Sequence, residues 1–150
     1  MIVRGAALAS REIFIYEYFM RKSAIRPSKT ASSPLNEAAV VTKAVLRAAE
    51  HLGLPNRNLA RIVGLSESSV SRMGKGTFSV SAGDKAFELG LLFIRLFRAL
   101  DSIAGGDEAV ARAWLRNDNN ALGGAPIALI ETVPGLVNVL AYLDARRALV

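Results

Sequence analysis

The segment Asn56–Lys75 constrains the fold more than any other part of the chain. It reads NRNLARIVGLSESSVSRMGK. Leu59, Val63, Leu65 and Met73 fall at positions that must face the small core of two short helices. Gly64 lies in the turn, where a left-handed backbone is easy only for glycine. Ala60 is small where the second helix crosses the first. Val70 is the apolar anchor six residues after Gly64, and Ser66 suits the N-cap of the second helix. Two short helices meeting at a sharp angle form a helix-turn-helix; an ordinary helical hairpin is the competing reading.

Removing the anchors leaves Ser66, Glu67, Ser68, Ser71, Arg72 and Lys75 as the outer face of the second helix. In a helix-turn-helix this face meets base edges in the major groove, near the helix N-terminus. Arg72 suits bidentate pairing with guanine O6 and N7. Ser66, Ser68 and Ser71 suit bases or phosphates. Arg57, Arg61 and Lys75 suit phosphate, which positions a protein without specifying sequence. Each of these side chains is equally open to a plain solvated role. His51, the only histidine, falls at the end of the preceding helix; the helix dipole favours it there, and phosphate contact is the alternative.

The charge distribution agrees with a polyanionic partner. The net charge is +6, and it is uneven. Residues 1–33 hold six Lys/Arg against two acids, residues 34–81 six against three, and residues 82–150 seven against eight. Neutralising phosphates with a basic surface releases counterions, although a basic surface left to solvent is also compatible. The 150 residues include no cysteine, which excludes disulfides and thiolate metal sites. One histidine leaves little room for zinc or triad chemistry. No enzyme and no cofactor are expected. The apolar run Ile13–Met20 contains Glu17 and falls well short of the roughly 20 residues that span a bilayer. No membrane association is therefore expected, and the cytoplasm is the expected compartment.

The remaining pattern predicts an all-α fold. Residues 1–33 read as an extension and linker, with Arg26–Pro34 too rich in proline and small polar residues to build a core. Asn36 is the expected cap of a helix with an apolar stripe at Val40, Val41, Ala44, Val45, Ala48 and Leu52, ended by Gly53. A long helix is expected from Ser81 or Asp84 to about Ala104. It is apolar around most of its circumference, so it is either buried or shared with another chain; a homodimer is one expectation, with Ile13–Met20 as a second possible interface. Asp107 is expected to cap a helix to Arg116, and the last helix is expected over about Pro134–Ala148.

The helix-turn-helix segment resembles the Xre repressors. The region after it resembles the toxin-binding domain of the Xre/MbcA/ParS antitoxins. The second resemblance rests on Ala113-Trp114-Leu115, Asn119-Asn120-Ala121-Leu122-Gly123-Gly124, Pro126, Leu129, Thr132, Gly135, Val139 and Leu143, which occur in the family's order. It covers about residues 36–150 and implies a helix-turn-helix domain over 34–80 and a toxin-binding domain over 81–150. It further implies a neighbouring RES-domain toxin that consumes NAD, neutralised by an antitoxin whose C-terminal end lies near the toxin's NAD site, and repression of the pair's own operator DNA. Relatives often close with a glycine-bearing segment, whereas this chain ends Asp144-Ala145-Arg146-Arg147-Ala148-Leu149-Val150. Arg146, Arg147, Leu149 and Val150 are the expected toxin-contacting residues, since guanidinium groups pair well with acidic or phosphate-binding features. Interaction of both arginines with their own helix dipole is the alternative. A stand-alone helix-turn-helix regulator remains the second functional reading.

Overall fold

Helix follows helix from Pro34 to Arg147. The computed structural model describes residues 34–149, which belong to a single compact unit. The expected extension and the Ile13–Met20 interface lie outside the described residues. Helix α1 spans Pro34–His51, α2 Asn56–Val63, α3 Glu67–Gly74, α4 Lys85–Ile103, α5 Glu108–Arg116, α6 Pro126–Leu129 and α7 Val133–Arg147. The fold is all-α among the described residues. The expected cap Asn36 lies inside α1, which starts at Pro34. Proline's fixed φ and missing N–H suit a first helical turn, where that donor has no intrahelical partner.

Helix α4 forms the middle of the core. It packs against α1 and α2 in one direction and α7 in another. Phe93, Ile94, Leu96, Ala99 and Leu100 are almost wholly buried along it. Its exposed positions are Lys85, Glu88, Arg95, Ser102 and Ile103, with Leu91, Leu92, Arg98 and Asp101 half-buried. The apolar circumference is thus covered largely by helices of the same chain, without requiring a second copy. Gly90 permits the close crossing with α1, because a Cβ there would lie 3.0 Å from Val45 Cγ2.

Two polar devices fix the frame. Thr42, buried in α1, donates to the Ala38 carbonyl at 2.7 Å and accepts from the Val80 amide at 3.1 Å. This ties the strand-free segment after α3 back to α1. At the other end of α1, Arg112 and Arg116 of α5 reach the closing carbonyls. Arg112 donates to the carbonyls of His51 (Nε, 2.7 Å) and Glu50 (3.1 Å), and Arg116 to that of Gly53 (2.7 Å). Cations over a helix C-terminus satisfy acceptors that lack intrahelical partners and complement the dipole. His51 pairs with Glu108 and stacks on Phe97, so its ring serves the junction between α1, α4 and α5.

Candidate functional site

The turn between α2 and α3 is built as its residues dictate. Gly64 has φ +70°, and its N–H returns to the Ala60 carbonyl. Leu59, Ala60, Ile62 and Val63 of α2 are buried, as are Val70 and Met73 of α3. These apolar contacts set α3 across α2 and leave its other face outward. Leu65 is only half-buried.

Ser66 caps α3 by accepting from the Ser69 amide at 3.1 Å. Its hydroxyl also meets Ser68 Oγ at 3.0 Å and donates to Ser69 Oγ at 2.9 Å. Ser69 in turn accepts from Arg72 at 3.1 Å, and the Arg72 guanidinium lies over the Phe78 ring, 5.3 Å from its centroid. Ser69 and Phe78 thus hold Arg72, and neither was singled out in the sequence: Ser69 is half-buried and Phe78 lies beyond the helix. Arg57, Ser66, Ser68, Arg72 and Lys75 are exposed, while Ser71 is half-buried. Arg61 is exposed but paired, donating to Glu131 Oε2 at 3.1 Å.

The region from α5 to α7 gives physical content to its motif. Trp114 is half-buried and stacks on Tyr142 of α7, with centroids 6.3 Å apart; Leu115 is fully buried. Asn119 closes the turn that follows. Its side-chain oxygen accepts from the Ala121 amide at 3.0 Å, and its carbonyl accepts from the Gly123 amide at 2.9 Å. Thr132 caps α7 through the Gly135 amide at 3.2 Å. Gly135 cannot be larger, because a Cβ would fall 1.9 Å from the Leu129 carbonyl oxygen.

The expected partner-contacting residues lie at the end of α7. The Arg146 guanidinium sits over the Tyr142 ring, 5.2 Å from its centroid. Arg147 is exposed and Leu149 is 85% exposed. Val150 lies outside the described residues. Tyr142 itself ionises below the ordinary phenol value, because of a hydrogen bond with the Asn119 side chain and, after the opposing effect of burial, the nearby Arg146. Among the described residues no group of His, Asp and Glu is arranged to hold a metal, and no helix is long and apolar enough to cross a membrane.

Two family models match the chain. Residues 33–95 match the antitoxin Xre-like helix-turn-helix domain, and residues 99–148 match the antitoxin Xre/MbcA/ParS C-terminal toxin-binding domain. The two matches meet within α4. A comparison with curated proteins gives no match.

Proposed function

As the chain belongs to the Xre/MbcA/ParS antitoxin family, we propose that it binds and neutralises a cognate RES-domain, NAD-consuming toxin and represses its own operon by binding operator DNA. The observation that carries this reading is the tandem order of a helix-turn-helix domain and a toxin-binding domain in one chain. Residues 34–80 take the DNA and residues 81–150 the toxin, in the cytoplasm and without catalysis or cofactor.

On the DNA side, Arg72 reads a base edge, with Ser66, Ser68 and Ser71 at bases or phosphates. Arg57 and Lys75 meet the phosphate backbone, and Arg61 joins them only when it leaves Glu131. A homodimer is part of this reading, because two copies of α3 then match half-sites about one helical turn apart. On the toxin side, Arg147 and the apolar end of the chain, the exposed Leu149 with Val150 after it, approach the NAD pocket together with Arg146.

Co-expression with the neighbouring gene tests the partner, and a gel-shift series on the upstream region tests the DNA. The antitoxin reading expects co-elution with the toxin. Arg72→Ala should cost about 1–3 kcal/mol and relax sequence preference, whereas Arg57→Ala should weaken binding evenly and reduce the salt slope by about one. DNA binding without toxin capture would leave the chain a stand-alone regulator. Unchanged affinity for both variants would remove the DNA assignment, and a strict monomer on and off DNA by light scattering would remove the dimer.

A further inference from the structure

We infer that Glu131 restrains DNA binding from outside the reading helices, by holding the Arg61 guanidinium away from the phosphate backbone. This rests on the reading of α2 and α3 as the DNA-facing pair. Glu131 stands between α6 and α7, one residue before the Thr132 cap. Its carboxylate reaches back across about half the chain to α2. Oε1 accepts from Asn58 Nδ2 at 2.8 Å and Oε2 accepts from Arg61 Nη1 at 3.1 Å. Asn58 and Arg61 are three residues apart and so share a face of α2.

The two sides of the ion pair differ in freedom. The Glu131 side chain is 19% exposed, against 60% for Arg61. Partial burial and the Asn58 hydrogen bond fix the carboxylate, while the guanidinium is placed to leave. In a helix-turn-helix the first helix crosses the DNA backbone, so Arg61 is on the helix that meets phosphate. To reach one, it must abandon a fixed carboxylate that then stands unneutralised near the incoming polyanion. The lost pairing and the exposed negative charge both oppose binding. A half-exposed ion pair is weak, which makes the restraint a matter of several-fold rather than an on–off switch. Because Glu131 adjoins the start of α7, the restraint on the DNA-facing helix is supplied by the toxin-binding half.

Glu131→Gln isolates the charge, since the glutamine carbonyl can still accept from Asn58. The probe is a random-sequence duplex at low salt, because the effect concerns phosphate and not sequence. Glu131→Gln should bind about three- to tenfold tighter, with a salt slope steeper by about one. Arg61→Ala should change wild-type affinity by less than about twofold, yet abolish the gain in the Glu131→Gln background. Arg72→Ala serves as the control for the DNA reading itself. If Arg72→Ala weakens binding while Glu131→Gln, with an unchanged melting temperature, binds no tighter than wild type, the inference fails and the DNA reading stands. If Glu131→Gln lowers the melting temperature, Arg61→Ala alone decides. A full loss of one phosphate contact in the wild-type background overturns the restraint; near-unchanged affinity with a further-weakened Arg72→Ala control supports it. Equal binding by wild type and Arg72→Ala would overturn the DNA reading and the inference together.

Discussion

Arg112 donates from Nε to the backbone carbonyl of His51 at 2.7 Å, joining residues 61 apart in the sequence. The guanidinium also meets the Glu50 carbonyl and, four residues back on its own helix, Glu108. Removing it leaves acceptors at the end of α1 without their charged donor. Arg112→Ala is expected to lower stability by about 1–2 kcal/mol, the lower part of the range for charged hydrogen bonds because the group is part-exposed. Denaturant unfolding measures this, and a shift in the midpoint with unchanged slope is the expected form. Arg112→Lys should recover little, since an ammonium cannot reproduce the fork that spans two carbonyls.

Gly135→Ala tests the close approach at the start of α7. The added Cβ would be 1.9 Å from the Leu129 oxygen and 2.8 Å from Thr132 Oγ1. Backbone cannot yield as a flexible side chain does. The expected loss is roughly 3 kcal/mol or more, at the severe end of overpacking, read by thermal unfolding. Thr132→Ala, which removes only the cap, should cost about 1 kcal/mol. Similar small losses for both would show that the turn between α6 and α7 relaxes freely.

Tyr142 gives a pH-dependent signal. Its phenol is lowered from 10.0 by the Asn119 hydrogen bond first and by Arg146 further. The folded chain therefore releases this proton at a lower pH than the unfolded chain. For this group alone, stability rises with pH across the window between the folded value and the ordinary phenol value, and is lost again as pH falls through the folded value. Trp114 is the only tryptophan and stacks on this ring, so its fluorescence should change as tyrosinate forms. Asn119→Ala should move the transition upward, and Tyr142→Phe should abolish it. A fluorescence titration insensitive to both substitutions would contradict the contact.

Deleting residues 145–150 separates two modes of neutralisation. If the tail enters the toxin's pocket, the shortened chain should still bind toxin through the remaining domain surface, yet leave more NAD-consuming activity. Arg147→Ala should show part of this effect, since Arg147 is exposed. Arg146→Ala should in addition shift the Tyr142 titration upward. Full neutralisation by the shortened chain at unchanged affinity would place inhibition in the bulk of the domain.

Much of the fold was legible because local rules and packing agreed. Gly64, Asp107 and Thr132 act at helix ends as their residue types predict, with positive φ at the glycine and side-chain caps at the other two. The apolar stripes of α1 and α2 also pack as their periodicity indicates. What local rules do not carry is pairing across long sequence separations. Arg112 and Arg116, four residues apart on α5, read as ordinary surface charges until the end of α1 is placed against them. Glu131 reads as a turn residue until α2 supplies Asn58 and Arg61. The girth of α4 had two explanations because periodicity counts apolar faces without saying what covers them. Arg72 was legible as an outward arginine, but the support from Ser69 and Phe78 depends on side-chain directions that spacing does not give.

Helix α4 lies against α1 and α2 as well as α7, and the two family matches divide within it. Both halves pack against this one helix, so the described unit should melt in a single cooperative step. Thermodynamic linkage then follows. A ligand that grips only the α7 side stabilises the whole unit by RT ln(1 + [L]/Kd), about 2.7 kcal/mol at a hundredfold excess over Kd. Toxin held at one end therefore protects the helix-turn-helix at the other from unfolding and from proteases that act on the unfolded chain. On the proposed reading, the lifetime of the helix-turn-helix becomes a readout of how much toxin is bound.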